Sequence, residues 1–215
     1  QSEEFGIFLA HDELREAQGE MIVDGIAALG AGGFLLASAP TGIGKTAAAL
    51  AAALDASRKS PESKVVMFLT GRQSQHRIVV DTVRRINRNL DSEDAKVRLV
   101  DLIGQQGMCI NEIRREHRAL FSRLCADKRG SRTCKPWLAD SELIRPRILQ
   151  DPLHVDELVS ICQGGADELP HGICPWKAAR ESAPFADIVV CDYNHVFVEA
   201  VRDSSLSAMG LDLED

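Results

Sequence analysis

The 215-residue sequence has no apolar run of the roughly 18–20 residues that a membrane-spanning helix needs. It lacks an excess of positive charge: 25 Lys and Arg against 32 Asp and Glu leave a net charge of −7, which argues against a chain that coats nucleic acid by bulk charge alone. Internal repeats and low-complexity segments are absent. Cysteine is missing from the first hundred residues, and none of the six cysteines forms the close Cys-x(2–4)-Cys pair usual in structural zinc sites. The acidic opening Gln1-Ser2-Glu3-Glu4 does not read as a secretory leader, so the expected compartment is the cytoplasm, or the nucleus in a eukaryote. What remains, 45% hydrophobic and 27% charged residues, describes an ordinary soluble globular protein: one large domain, or one with a smaller insert.

Helix and strand patterns alternate over the first hundred residues. Residues 12–29 read as a helix with Leu14, Ala17, Met21 and Ile22 on one side. Residues 33–38 read as a short buried strand, followed by a Gly-containing turn and an Ala-rich helix from Lys45 to about Ser57. Residues 64–70 form a second expected strand. Gln73 to Leu90 is a helix with Ile78, Val79, Val83 and Ile86 at helical spacing, and residues 97–102 are a third strand. Strands alternating with helices imply a parallel sheet covered on both faces. From Gly104 to about Pro184 this rhythm stops, and the stretch holds five of the six cysteines and both tryptophans. It returns at residues 186–191, a strand, and continues with a helix from about Asn194 to Val201. The expected architecture is α/β, a phosphate-loop parallel sheet interrupted by a Cys-rich, mostly helical insert. The domains are residues 1–103, the insert 104–184, and a return to the first domain over 185–215.

Ala39-Pro40-Thr41-Gly42-Ile43-Gly44-Lys45-Thr46 reads as a phosphate loop. In such a loop backbone N–H groups wrap the β-phosphate and the helix N-terminus adds partial positive charge. Lys45 reaches the β- and γ-phosphates, Thr46 is placed to bind Mg²⁺, and Gly42 and Gly44 permit positive φ. Ala39 stands where the strict pattern has Gly. The bland alternative is a chance Gly-Lys-Thr at a helix start. The motif specifies a nucleotide, not what its hydrolysis drives.

Cys109, Cys125, Cys134 and Cys174 lie in short loop-like contexts, two of them followed by Pro and Trp (Cys134-Lys135-Pro136-Trp137 and Cys174-Pro175-Trp176). Four thiolates suit a [4Fe–4S] cube or one tetrahedral Zn²⁺, and buried free cysteines are the third possibility. Cys191 ends a strand and is expected in the core, and Cys162 reads as a spare thiol. Residues 106–150 carry ten Lys and Arg against five Asp and Glu, whereas residues 151–175 carry five acids and no Lys or Arg. The basic stretch is either a solvated surface or a local phosphate contact.

The order of these features resembles the XPD family of superfamily 2 DNA helicases and the related DinG type. The resemblance rests on Ala39 to Thr46, Ser74-Gln75, Gly107-Met108-Cys109, and Cys174-Pro175-Trp176 leading into Ala186-Asp187-Ile188-Val189-Val190, and it runs over nearly the whole chain. It implies a RecA-like motor fold, and a [4Fe–4S] insert with Cys109, Cys125, Cys134 and Cys174 as ligands. By position Arg15 and Gln18 match the family's adenine-recognising pair, Gln18 being able to pair with the adenine edge and so select ATP. The family's Thr-Arg-Thr before Ser-Gln is here Thr70-Gly71-Arg72-Gln73, which leaves Thr70, Arg72 and Gln75 as candidate DNA-backbone contacts. The family's Asp-Glu-Ala-His motif is absent, and Asp192-Tyr193-Asn194-His195 is read as a decoy rather than a substitute. The chain is therefore expected to be the N-terminal part of a longer helicase.

The resemblance implies ATP- and Mg²⁺-dependent 5′→3′ movement on single-stranded DNA, with the cluster domain at the fork junction. Arg114, Arg115, Arg118, Lys128, Arg129, Arg132 and Lys135 are then candidates for backbone contact. Trp137 or Phe121 could stack on a base, although core packing is the simpler role. The rival readings are a non-catalytic metal-binding nucleic-acid module and a P-loop kinase or other nucleotide hydrolase with a zinc insert.

Overall fold

The computed structural model describes residues 5–15, 17–62, 64–165 and 170–212. Three parallel strands, β1 (Val66–Leu69), β2 (Leu99–Asp101) and β3 (Ile188–Cys191), form a sheet in the order β1-β3-β2. Val66 pairs with Ile188 and Leu99 with the same Ile188, so β3 is hydrogen-bonded on both edges. The two-residue period of a strand sends alternate side chains to opposite faces. Val66, Phe68, Leu99, Ile188 and Val190 join one core, and Met67, Leu69, Val100, Val189 and Cys191 join the other.

The first core is closed by α2 (Lys45–Lys59) and α3 (Gln73–Asn89). On α3, Val79, Val83 and Ile86 are fully buried at helical spacing, as expected. Ile78, expected on the same face, is 45% exposed, because one step along a helix turns a side chain about 100° away. α1 (Gln18–Gly30) crosses α2 closely: a Cβ on Gly25 would lie 2.7 Å from the Ala52 Cβ, so only glycine allows this approach. This helix begins at Gln18, not near residue 12, because Ala17 sits in the left-handed region at φ 62°.

The second core is closed by the helical stretch that interrupts the βα rhythm. It comprises α4 (Gln105–Met108), α5 (Arg118–Gly130), α6 (Lys135–Leu138), α7 (Arg145–Gln150), α8 (Val155–Ile161) and α9 (Pro175–Ser182). Met108, Ile148, Leu158, Ile173 and Ala179 pack here against Val100 and Val189. A smaller cluster of Ile113, Phe121 and Cys125 holds α5. The segment after β3 is split into α10 (Asn194–Phe197) and α11 (Glu199–Met209), where a single helix is expected. Val198 between them is extended, with φ −101° and ψ 106°.

The expected strand at 33–38 is not formed. These residues have no regular structure, and Phe34 and Leu36 are 90% and 94% exposed. An apolar run becomes a strand only when a neighbouring strand accepts its backbone hydrogen bonds. Among the described residues β1 pairs only with β3, and no strand pairs with residues 33–38. The phosphate loop is therefore entered from irregular backbone, while the helix after it starts at Lys45 as expected.

Candidate functional site

The phosphate loop runs into α2 through Gly44, whose φ of 86° is left-handed, and Gly42 has φ 91°. Arg15, just ahead of α1, and Gln18, the first residue of that helix, fasten the loop. An Arg15 guanidinium N–H donates to the Gly42 carbonyl. Gln18, only 3% exposed, donates through Nε2 to the Gly44 carbonyl at 3.3 Å and accepts from the Arg15 backbone N–H at 3.1 Å. A Cβ at Gly44 would stand 2.7 Å from Gln18 Nε2, so this position needs glycine for both conformation and space. The Lys45 ammonium is turned onto the loop itself, donating to the Ala39 carbonyl at 2.9 Å and the Pro40 carbonyl at 2.7 Å. Thr41 is exposed, and Ile43 and Thr46 are half-buried. The structure thus brings Arg15, Gln18, Gly42, Gly44 and Lys45 together.

The C-terminal ends of the parallel strands gather a second group. Thr70 donates its backbone N–H to the Cys191 carbonyl at 2.9 Å, and its hydroxyl accepts from the Arg72 N–H at 3.4 Å. Arg72 is exposed and Gln75 half-buried. Asp192 caps the turn by accepting from the Asn194 N–H at 2.9 Å, and His195 Nδ1 lies 2.5 Å from the Ser205 hydroxyl. Burial lowers the His195 pKa, with the Asp192 charge opposing. These bonds give the Asp192 to His195 segment a local structural role.

Four cysteines arrive from four places along the chain. Cys109 ends α4 and its sulfur accepts from the Asn111 N–H at 3.4 Å; Cys125 lies on α5; Cys134 and Cys174 precede α6 and α9, each helix opening with a proline in its first two positions. The Cys174 N–H donates to the Pro136 carbonyl at 2.9 Å, joining the last two segments. Cys109, Cys125, Cys134 and Cys174 all line one small pocket, walled also by Gln105, Ile113, Arg129 and Trp137. Burial raises the Cys109, Cys125 and Cys174 pKa values, the last to about 11. Mutual proximity adds to this: Cys125 and Cys134 charges act on Cys109, and Cys109 and Cys134 on Cys174. Among the described residues no three His, Cys, Asp or Glu side chains converge as one metal ion would require. Cys162 and Cys191 are buried in the sheet-side core, and burial pushes each thiol to about 12.

Phe121 is 2% exposed in the small core, so it is not available to stack on a base. Trp137 is half-buried and packs on Trp176, with ring centroids 6.3 Å apart. Arg114, Arg115, Arg118, Arg132 and Lys135 are exposed; Lys128 and Arg129 are half-buried. Sequence reasoning missed a buried pair, His76 and Asp101, at the foot of α3. It also missed the ion pairs from α3 to the helical stretch, Arg77 to Asp156 at 3.3 Å and Arg84 to Glu157 at 2.6 Å. A polar residue at an otherwise apolar position, such as Asp101 after Leu99-Val100, was the available signal.

Among the described residues no helix is long and apolar enough to cross a membrane. The DEAD_2 family model matches residues 68–214. The chain is 26% identical over 162 residues to the ATP-dependent DNA helicase chl1 of Schizosaccharomyces pombe, covering 73% of this chain and 18% of that protein. It is 27% identical over 120 residues to the ATP-dependent DNA helicase CHL1 of Saccharomyces cerevisiae, covering 51% of this chain and 13% of that protein. The chain thus spans less than a fifth of the length of these relatives. With the model matching well over half of its residues, this chain belongs to the DEAD_2 family.

Proposed function

We propose that this chain is the first part of an ATP-dependent DNA helicase that moves 5′→3′ along single-stranded DNA and carries a [4Fe–4S] cluster at the duplex junction. Residues 1–103 and 185–215 would form the RecA-like motor portion and residues 104–184 the cluster domain. The names of the two relatives support the helicase reading. The observation that carries it is a phosphate loop fastened by Arg15 and Gln18 in a chain whose four candidate cysteines face one cavity.

The loop fits a nucleoside triphosphate. Gly42 and Gly44 leave the backbone open to close approach, and α2 presents its N-terminus at Lys45. The two carbonyls that hold the Lys45 ammonium are weaker partners than phosphate oxygens, so a bound triphosphate would draw the side chain outward. Thr46 would hold Mg²⁺, which neutralises charge on the transferring phosphoryl group. Arg15 and Gln18 would read the adenine.

The four cysteines support an iron–sulfur cube through their donors: all four line one space, and thiolate ligation is what such a cube requires. Cys109, Cys125, Cys134 and Cys174 would hold the cube, which stabilises the loops around it. The exposed Arg114, Arg115, Arg118, Arg132 and Lys135, with half-buried Lys128, would take the DNA backbone with no base preference. Thr70, Arg72 and Gln75 would contact it at the strand ends.

Binding of fluorescent ATP and of single-stranded DNA tests the reading. ATP binding lost in Lys45→Ala, with DNA binding that weakens as salt rises, is the expected result; hydrolysis by this chain alone should be slow or absent. Nucleotide binding indifferent to Lys45→Ala, together with no affinity for single strands, would contradict it.

A further inference from the structure

Among the described residues, the cation beside the cysteine cavity, Arg129, has no carboxylate partner. Arg129 lies one helical turn after Cys125 on α5, so both side chains emerge on the same face. Its guanidinium is held 4.9 Å over the Trp137 ring, its Nε donates to the Cys125 carbonyl at 3.4 Å, and its charge draws the Cys125 thiol pKa down against the rise that burial causes. These are its partners among the described residues, and no carboxylate is one of them.

The surroundings fix it there. Trp137 packs on Trp176 at 6.3 Å with the rings tilted by 30°. Lys177 ties the Trp137 backbone, donating to the carbonyls of Trp137 and Ala139 at 3.2 and 3.0 Å. Arg180 covers the outer side of Trp176 at 4.0 Å and is itself anchored to the Ser204 carbonyl at 3.1 Å. The two guanidiniums repel: burial and the Arg129 charge lower the Arg180 pKa, and the Glu181 charge opposes them. Arg129 itself has no carboxylate partner among the described residues, and thiolates in the cavity beside it would supply an anion.

We infer that Arg129, clamped by Trp137 against Cys125, is a positioning residue that sets the reduction potential of the cluster. The inference rests on the cluster reading proposed above. Four thiolates around a cube leave a net negative charge that grows on reduction, and potentials follow net charge and hydrogen bonds to sulfur. A fixed cation beside the ligand sulfurs therefore favours the reduced form. Trp137 supplies the clamp and excludes water, which strengthens the effect by keeping the local dielectric low.

The test is a dithionite titration of the anaerobically prepared chain, followed by electron paramagnetic resonance and iron content, in wild type, Arg129→Lys, Arg129→Gln and Trp137→Leu. Arg129→Gln should move the midpoint to more negative potential with iron retained. Arg129→Lys should stay near wild type, and Trp137→Leu should move the same way as Arg129→Gln by less. An Arg129→Gln midpoint equal to wild type overturns the inference. If Arg129→Gln sheds its iron, Trp137→Leu decides: a negative shift supports the inference and an unmoved midpoint overturns it. Wild type carrying zinc and no iron sinks the cluster reading itself, an outcome separate from an iron-bearing protein with an indifferent Arg129.

Discussion

Asp101 at the end of β2 holds His76 on α3 at 2.5 Å through one carboxylate oxygen, and its other oxygen accepts from the Val155 N–H at 2.9 Å. One buried carboxylate thus joins the sheet, the helix behind Ser74-Gln75 and the start of α8. Asparagine keeps one acceptor oxygen, so either the buried imidazole or the Val155 amide loses its partner, and the charge facing His76 is lost. Asp101→Asn should cost about 3 kcal/mol, as for other buried pairs deprived of one member. Urea denaturation measures it, and a loss below about 0.5 kcal/mol would contradict this role.

The same pair gives stability a pH dependence. Burial pulls the His76 pKa down, but the Asp101 hydrogen bond and charge, the Thr70 backbone and the Asp192 charge more than offset it, so the pKa is raised. A raised folded-state pKa stabilises fully below the unfolded value of about 6.5 and loses that contribution as pH rises through the folded value. The stability gap between wild type and His76→Gln should be constant in mild acid and narrow as pH climbs above about 6.5. A gap that widens toward alkaline pH would be the wrong sign.

Gly44→Ala should damage the nucleotide loop twice over. The added methyl would stand 2.7 Å from Gln18 Nε2 at a φ of 86°. Left-handed strain alone costs about 1 kcal/mol or more, and displacing Gln18 also removes the bond to the Gly44 carbonyl. Isothermal titration should show ATP affinity at least about tenfold weaker, equivalent to 1.4 kcal/mol. Wild-type affinity in this variant would dismiss the Gln18 contact.

Much of this was legible in the sequence. The three strands of the sheet and the helix starts at Lys45 and Gln73 follow from apolar runs and motif spacing, and the grouping of Cys109, Cys125, Cys134 and Cys174 was implied by the resemblance to the XPD family. Residues 33–38 were misread because an apolar run encodes burial only where a neighbouring strand exists, and pairing is not a local property. Ile78 was misread because adjacent apolar residues on a helix cannot share one face. The His76–Asp101 pair and the Arg129–Trp137 contact join residues 25 and 8 positions apart, across separate elements, which no periodicity records.

The misread segment makes its own prediction. Phe34 and Leu36 contribute almost nothing to the packing, so Phe34→Ser with Leu36→Lys should leave stability within about 0.5 kcal/mol. An exposed apolar, unpaired stretch invites association, so light scattering at high concentration should fall in the double variant. A large loss of stability would mean that the segment packs against the body of the chain in solution.

Metal content of anaerobically purified protein decides whether the four cysteines hold an iron–sulfur cluster. The expected result is a broad band near roughly 400 nm and about four iron per chain, both lost in Cys109→Ser. About one zinc per chain with no visible band would contradict it and leave only the nucleotide loop standing.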